Sequence, residues 1–141
     1  MSARALVEEY WRVVWTEGDL DAIGRFFAPD ARAEGILPPD PATPEDLRVM
    51  AETVRGLIRR PRFRILRFIE DGEWASALCV VEGPAAATGR PFAIQGQVIF
   101  RTDGRRIVEA HNTFDMLSAC IQLGALSCDA VPALLGGRKV A

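Results

Sequence analysis

Apolar residues recur at three- and four-residue spacing through the first part of the chain, which predicts amphipathic helices there. A helix over Ala3–Thr16 carries two apolar stripes, one that includes Leu6 and Tyr10 and one made by Trp11 and Trp15. Because the two stripes together cover more than half of the girth of this helix, we expect a sheet to wrap around it.

The next segments predict two more helices and a short strand. A second, shorter helix runs from Asp19 to Phe27, and Ala31–Ile36 is a strand candidate. Four prolines make Leu37–Thr43 an irregular loop, and its last residue is a favoured N-cap for a third helix. That third helix ends at Pro61.

From Arg62 onward the apolar period changes to two, which is typical of β-strands. Hairpin turns are predicted at Asp71-Gly72 and Asp103-Gly104. The predicted strands are Arg62–Glu70, Glu73–Val81, Phe92–Thr102 and Arg106–Phe114, followed by a helix over Met116–Leu123. Helices first and an antiparallel meander afterwards indicate an α+β domain, in which a curved sheet wraps around the N-terminal helices.

Length and composition narrow the function classes. We expect one domain over residues 1–126 and a C-terminal extension over 127–141 that is partly disordered at its end. The 17 basic and 19 acidic side chains nearly balance, which argues against nucleic acid as the main partner. One histidine and three cysteines without metal-type spacing argue against a zinc site. The apolar runs are too short to span a membrane, there is no signal-peptide pattern, and reduced thiols fit the cytoplasm.

The hairpin at Asp103-Gly104 places three amide side chains on one surface, if its turn has two residues. Gln95 then lies opposite Asn112, and Gln97 lies on the same face. These amides bind a ligand in a pocket or satisfy one another inside a core. A bulge or a longer turn would shift this register and move Asn112 relative to both glutamines.

Two side chains are candidates for a general base. His111 is the side chain here that titrates near neutrality unaided, but in the predicted register it lies on the other face, where a structural or interface role is the alternative. Glu34 would have a raised pKa if it faced inward, and would be an ordinary exposed strand-end carboxylate otherwise. Asp115 is interpreted as the N-cap of the last helix.

The aromatic residues Tyr10, Trp11 and Trp15 are interpreted as core or as the wall of a ligand pocket. The predicted sheet is apolar on both faces, and the chain has little left to cover the second face. We therefore expect a homodimer through the face that bears Ile94, Val98, Phe100 and Ile107.

Several short motifs occur in an order that resembles the SnoaL-like polyketide cyclases of the nuclear transport factor 2-like superfamily. They are Gly18-Asp19-Leu20-Asp21, Phe27-Ala28-Pro29-Asp30-Ala31, the run from Asp103 to Glu109, Phe114-Asp115 and Gln122-Leu123-Gly124-Ala125-Leu126. The resemblance covers Leu6 to Leu126. It implies a cone-shaped α+β barrel with a deep apolar pocket for a carbonyl-bearing or polycyclic molecule, commonly a homodimer, with no metal or organic cofactor.

The resemblance also implies where catalytic groups would lie. Enzymes of that family close a ring by an intramolecular aldol reaction with one carboxylate on the last long strand, and Asn112 occupies that position. The related ketosteroid isomerases carry an aspartate base at the position of Gly35. Since a neutral amide cannot act as a general base, two functions are open: cyclase- or isomerase-like enolisation with Glu34 or His111 as base, or ligand binding without catalysis.

Overall fold

The structure is a computed structural model that describes residues 1–35 and 41–139. The end of the strand predicted over Ala31–Ile36 and most of the proline-rich loop lie outside the described residues. The fold is α+β, as predicted: helices from the first half of the chain pack on one face of a five-stranded sheet.

The N-terminal helix changes its winding halfway along. Helix α1 (Ala3–Tyr10) continues into a π-helical segment over Trp11–Thr16, where the backbone N–H of Glu17 donates to the carbonyl of Arg12 five residues earlier. A π-helical turn brings residues five apart onto one line, so the Trp15 indole Nε1 donates to the Tyr10 hydroxyl at 2.9 Å. The predicted helix over Ala3–Thr16 is confirmed, and its π-helical second half was not foreseen.

The remaining helices are α2 (Pro44–Leu57), α3 (Met116–Gln122) and α4 (Ala130–Leu135). Thr43 caps α2 in a reciprocal capping box with Asp46, and Asp115 caps α3 by accepting from the Ser118 N–H, so both predicted caps are confirmed. The second predicted helix is a 3₁₀-helix over Leu20–Arg25, because the chain enters a strand already at Phe27.

The sheet contains β1 (Phe27–Glu34), β2 (Arg62–Asp71), β3 (Trp74–Pro84), β4 (Pro91–Thr102) and β5 (Ile107–Phe114). Their order is β1-β5-β4-β3-β2. Strand β1 runs parallel to β5, and the other neighbours are antiparallel. The sheet therefore has an inner face, which packs on the helices, and an outer face.

The β4–β5 register differs from the prediction. The Asp103 carboxylate accepts from the backbone N–H groups of Arg105 and Arg106, which lengthens the turn to four residues, and a bulge follows between Ile107 and Glu109. Asn112 consequently lies opposite Val98 instead of Gln95. An odd change of register turns every later side chain of β5 to the other face.

The helix α3 is fixed to the start of β4 by one side chain. Gln122 accepts from the Ala93 N–H at 2.9 Å and donates to the Ala93 carbonyl at 2.8 Å, as a neighbouring strand would do. A further hydrogen bond of 2.8 Å joins Gln122 to Ser118. The Gln-Leu-Gly motif thus has a structural task, which is to hold α3 across one end of the sheet.

Candidate functional site

The inner face of the sheet and the helices enclose an apolar pocket of about 140 Å³. Its wall comes from the π-helical segment, α2, the inner positions of four strands and α3. The lining residues are Trp15, Gly35, Met50, Val54, Leu57, Ile58, Phe63, Val81, Phe92, Ile94, Phe114, Met116, Ala119 and Leu123. All of the described lining side chains are uncharged, so the pocket suits a neutral, mainly apolar molecule.

A second, smaller cavity of about 30 Å³ lies deeper between the same sheet face and α1. Its wall is also largely apolar, with two polar side chains, Tyr10 and Asn112. The lining residues are Val7, Tyr10, Trp11, Phe27, Ala33, Leu47, Val98, Phe100, Ile107, Ala110 and Asn112. Such a space holds about one water molecule or one polar group of a ligand.

The Tyr10 hydroxyl is the most strongly perturbed titratable group at the deep cavity. Burial raises the pKa of Tyr10 well above its usual range, while the hydrogen bond from Trp15 opposes that shift. The hydroxyl oxygen accepts from Trp15, and no acceptor for its own proton is found among the described residues. Tyr10 is therefore a neutral donor at any physiological pH.

Asn112 reaches the deep cavity because the β5 bulge turns it inward. Its amide Nδ2 donates to the Glu34 carbonyl at 3.0 Å, which joins β5 to the end of β1. Gly35 follows with φ 77°, and a Cβ atom there would collide with the Asn112 carbonyl oxygen. An aspartate base at position 35 is therefore excluded by the backbone, since a side chain at this place has neither the conformation nor the room.

Gln95 and Gln97 do not share a surface with Asn112, and the prediction that they do is wrong. Both are exposed on the outer face of β4, where Gln97 donates to Ser76 at 3.3 Å and lies opposite Thr113. The alternation along β4 was predicted correctly; the error arose because the predicted pairing had no bulge, and the bulge after Ile107 turns the rest of β5 to the other face.

His111 and Glu34 meet each other on the outer face. His111 Nδ1 lies 3.1 Å from the Glu34 carboxylate, and Nε2 lies 2.7 Å from the Glu109 carboxylate. The hydrogen bond that His111 donates to the Glu109 carboxylate is the main cause that raises the pKa of His111, and the same contact lowers the pKa of Glu109. These three groups line an open, polar groove with Asp30, Arg32 and Arg101, on the side of the sheet opposite Asn112.

The residues expected to form a dimer interface are core residues. Ile94, Val98, Phe100 and Ile107 point inward and are between 0% and 8% exposed. They pack against the helices or line the two cavities, so the prediction of this face is wrong. The uncovered outer face carries Trp74, Leu78, Val80 and Ile99 instead, of which Ile99 is 42% exposed.

Metal chemistry finds no support in the described geometry. Across residues 1–35 and 41–139, no group of three or more His, Cys, Asp and Glu side chains is arranged to hold a metal ion. Cys79 is buried in β3, and burial raises the pKa of its thiol to about 11. Cys79 is therefore protonated at neutral pH and packs as a small apolar side chain.

Two residues that shape the site were not singled out by the sequence. Gly96 lies on the inner face of β4 directly opposite Phe114, and Phe63 of β2 stacks on Trp11 with ring centres 4.6 Å apart. A glycine within an otherwise apolar run of inward positions was the signal for the first, because such a glycine marks a close approach.

A family model described as the SnoaL-like domain matches residues 7–110 of the chain. No curated protein matches the sequence. No helix among the described residues has both the length and the apolar character needed to cross a membrane.

Solved structures share the fold at low sequence identity. IdmH from Streptomyces antibioticus has a TM-score of 0.75 and 21% identity, over 88% of this chain and 99% of that one. A SnoaL-like polyketide cyclase from Agrobacterium tumefaciens has a TM-score of 0.68 and 15% identity, over 87% and 99%. A protein with a ketosteroid isomerase-like fold from Catenulispora acidiphila has a TM-score of 0.70 and 20% identity, over 88% and 95%.

Proposed function

The chain belongs to the SnoaL-like domain family, and we propose that its interior binds a small, uncharged, mainly apolar molecule that bears a carbonyl group. The observation that carries this proposal is the apolar pocket of about 140 Å³ on the inner face, whose described lining side chains carry no charge. An anionic or cationic ligand would lose its hydration there without gaining a partner.

The volume of the pocket sets the size of the ligand. An apolar cavity of about 150 Å³ is large enough to bind benzene, so the pocket of about 140 Å³ fits one ring with a short substituent. The deep cavity adds about 30 Å³. A ligand of one or two rings is therefore favoured over the larger polycyclic molecules that the sequence left open.

The carbonyl group of the ligand is assigned to the deep end of the interior. Tyr10 supplies a hydroxyl proton and Asn112 a second amide proton, and the described residues offer no competing acceptor for either. Both donors are neutral and border the same cavity. Two neutral donors in a largely apolar space are suited to a carbonyl oxygen or an enolate oxygen.

Binding without turnover is the function that the geometry favours. Enolisation needs a base beside the carbon that loses its proton, and among the described residues no carboxylate or imidazole lines either cavity. A catalytic role of Glu34 or His111 stays a prediction. If either residue were the base, the reaction would take place in the outer groove. Cyclase- or isomerase-like enolisation is the second candidate, because the donors at Tyr10 and Asn112 would stabilise an enolate.

A titration with acetophenone tests the binding proposal, with the fluorescence of Trp15 as the signal because its ring lines the pocket. The wild-type protein is expected to bind acetophenone saturably. Ala119→Phe fills the pocket and is expected to abolish binding, whereas Ile99→Phe adds the same ring on the outer face and leaves binding unchanged. Absence of binding to the wild type, or equal binding to Ala119→Phe, would refute the proposal.

We also propose a homodimer through the outer face of the sheet. Leu78, Val80 and Ile99 give this face an apolar centre. Charged side chains of both signs surround that centre, as in the rim of a protein interface; they are Arg62 and Arg64 on β2, and Arg32, Glu34, Arg101 and Glu109 on the other side. Sedimentation at micromolar concentration is expected to show a dimer that Ile99→Arg converts to monomer; a wild-type monomer would refute it.

A further inference from the structure

The two interior cavities lie next to each other along the inner face of the sheet. Their described linings share no residue, yet along three stretches of the chain the lining passes from one cavity to the other at the next inward position. Strand β5 contributes Asn112 to the deep cavity and Phe114 to the pocket. Strand β1 contributes Ala33 and the residue just after the strand, Gly35, follows; the N-terminal helix contributes Trp11 and then Trp15.

Strand β4 shows what lies between the two levels. Val98 lines the deep cavity and Ile94 lines the pocket, so the inward position between them is Gly96. Gly96 has no side chain, and a Cβ atom built on it would collide with the ring of Phe114, which is its cross-strand partner. The Phe114 ring therefore occupies the level between pocket and cavity that a side chain at position 96 would fill.

The opposite wall at this level is aromatic as well. Phe63 of β2 stacks on Trp11 and meets Trp15 edge-on, with ring centres 5.6 Å apart in the second pair. These rings belong to the fixed core, since Trp11 and Trp15 are 5% and 8% exposed. Phe114 is only partly buried and lies next to empty space in the pocket, so it is the ring of this layer with room to move.

We propose that Phe114 determines ligand length, as a movable partition seated on Gly96 between the apolar pocket and the deep cavity with Tyr10 and Asn112. With the ring in place, a one-ring ligand occupies the pocket alone and its carbonyl group does not reach Asn112. A two-ring ketone binds by displacing the ring, and its carbonyl oxygen then reaches the donors in the deep cavity. This inference rests on the proposed function, because it assumes that the pocket binds neutral ketones.

Affinities for two matched pairs of probes test the partition. The one-ring pair is acetophenone and α-methylstyrene, and the two-ring pair is 2-acetylnaphthalene and 2-isopropenylnaphthalene. In each pair the first molecule has a carbonyl oxygen where the second has a methylene group. The wild type is expected to bind the one-ring pair with equal affinity. Phe114→Ala is expected to raise the affinity for 2-acetylnaphthalene relative to acetophenone at least about tenfold, because the second ring of the ligand then fills the space that the Phe114 ring leaves and buries its apolar surface.

The two-ring pair reports whether the ligand reaches the deep cavity. In Phe114→Ala, 2-acetylnaphthalene is expected to bind about 2- to 12-fold more tightly than its hydrocarbon analogue, the worth of one neutral hydrogen bond. Adding Asn112→Leu removes that preference. A variant that merely loosens the fold would not bind 2-acetylnaphthalene more tightly than 2-isopropenylnaphthalene.

Gly96→Ala provides an independent variant that keeps the Phe114 ring but places a methyl group in the space that the ring occupies. It is expected to shift the length preference in the same direction as Phe114→Ala, with circular dichroism as the check of folding. An unchanged length preference in both variants, with acetophenone still bound, would overturn the partition alone. Failure of the wild type to bind acetophenone would overturn the proposed function and the partition together.

Discussion

The two faces of strand β5 differ in the groups they carry: titratable side chains lie on the outer face, and a cavity lined by neutral side chains lies on the inner face. An enzyme that uses acid–base catalysis would need both in one place. On the outer face, His111 lies between the carboxylates of Glu34 and Glu109, in an open groove exposed to solvent. On the inner face, the next residue, Asn112, borders an enclosed cavity with neutral donors. Groups that titrate lie where water is present, and the enclosed space holds groups that do not titrate near neutrality.

In the proposed function, this division means that the interior selects a ligand, while the described groups that titrate near neutrality lie on the outer face. A general base has to lie within hydrogen-bond reach of the proton it removes. One residue of register decides which face a side chain occupies, so the bulge after Ile107 is what separates His111 from the pocket. Four experiments test whether the two faces differ in this way.

The largest expected effect contrasts neighbouring residues of β4. Phe100 is fully buried on the inner face and Ile99 is 42% exposed on the outer face. Phe100→Ala is expected to lower the free energy of unfolding by about 3–5 kcal/mol, because it removes a buried ring and leaves a cavity. Ile99→Ala serves as the control and is expected to cost less than about 1 kcal/mol. Urea denaturation measures both, and equal losses would contradict the assignment of the two faces.

The next effect concerns the close approach of Gly35 to Asn112. Gly35→Ala is expected to cost more than the roughly 1–2 kcal/mol of a left-handed backbone strain, because its Cβ also collides with the Asn112 carbonyl. Gly72 has φ 60° at the β2–β3 turn with open space around it, so Gly72→Ala carries the strain without the collision. Chemical denaturation that finds both variants equally destabilised would show that β1 and β5 do not approach in this way.

A carboxylate placed on the inner face should create the chemistry that the wild type lacks. In Asn112→Asp, the rate of proton exchange at the methyl group of bound 2-acetylnaphthalene in D₂O is expected to rise at least about tenfold. This threshold is set lower than the roughly 100-fold or larger rate increase that a well-positioned general base usually gives. Nuclear magnetic resonance follows the exchange, and Glu34→Gln is the control that leaves the wild-type rate unchanged. Fast exchange in the wild type that Glu34→Gln abolishes would instead assign catalysis to the outer groove.

The smallest effect is the pH dependence of the outer face. The raised pKa of His111 means that its contribution to stability is fully present below the ordinary value of 6.5 and is lost as the pH rises through its folded pKa. The lowered pKa of Glu109 means that its contribution is present above its ordinary 4.5 and is lost as the pH falls. The pair therefore favours the folded state most between these two values.

The single histidine gives one resonance to titrate. The pKa of His111 is expected to lie above 6.5 and to fall towards it in Glu109→Gln, with a smaller decrease in Glu34→Gln because Glu109 is the main cause of the shift. Acetophenone affinity is expected to stay constant over the same pH range, since none of the described side chains that line the apolar pocket titrates. A parallel pH dependence of ligand binding would show that the two faces are coupled.

Much of the fold could be predicted because its helix caps, turns and apolar stripes depend on residues that are close together in the sequence. The stripes of α1, the capping box at Thr43, the turn at Asp71-Gly72 and the Asp115 cap each follow from side chains within a few residues of one another. The order of the motifs then indicated the family, and the family model matches residues 7–110.

The site was harder to predict because it depends on register. The Asp103 side chain satisfies two backbone donors and lengthens the turn, and the bulge near Val108 completes an odd shift. Neither is visible in the alternation of apolar residues, which reads equally well with β5 on either face. The role of Gly96 likewise appears only when Phe114 is placed opposite it.

A crystal structure of the wild-type protein with bound 2-acetylnaphthalene would show whether the interior is the binding site. We expect the ligand rings in the apolar pocket between α2, α3 and the sheet, and the Phe114 ring displaced from Gly96. The ligand carbonyl oxygen should lie within about 3 Å of Asn112 Nδ2 or the Tyr10 hydroxyl. A ligand bound in the outer groove beside His111, with the interior unoccupied, would contradict the account.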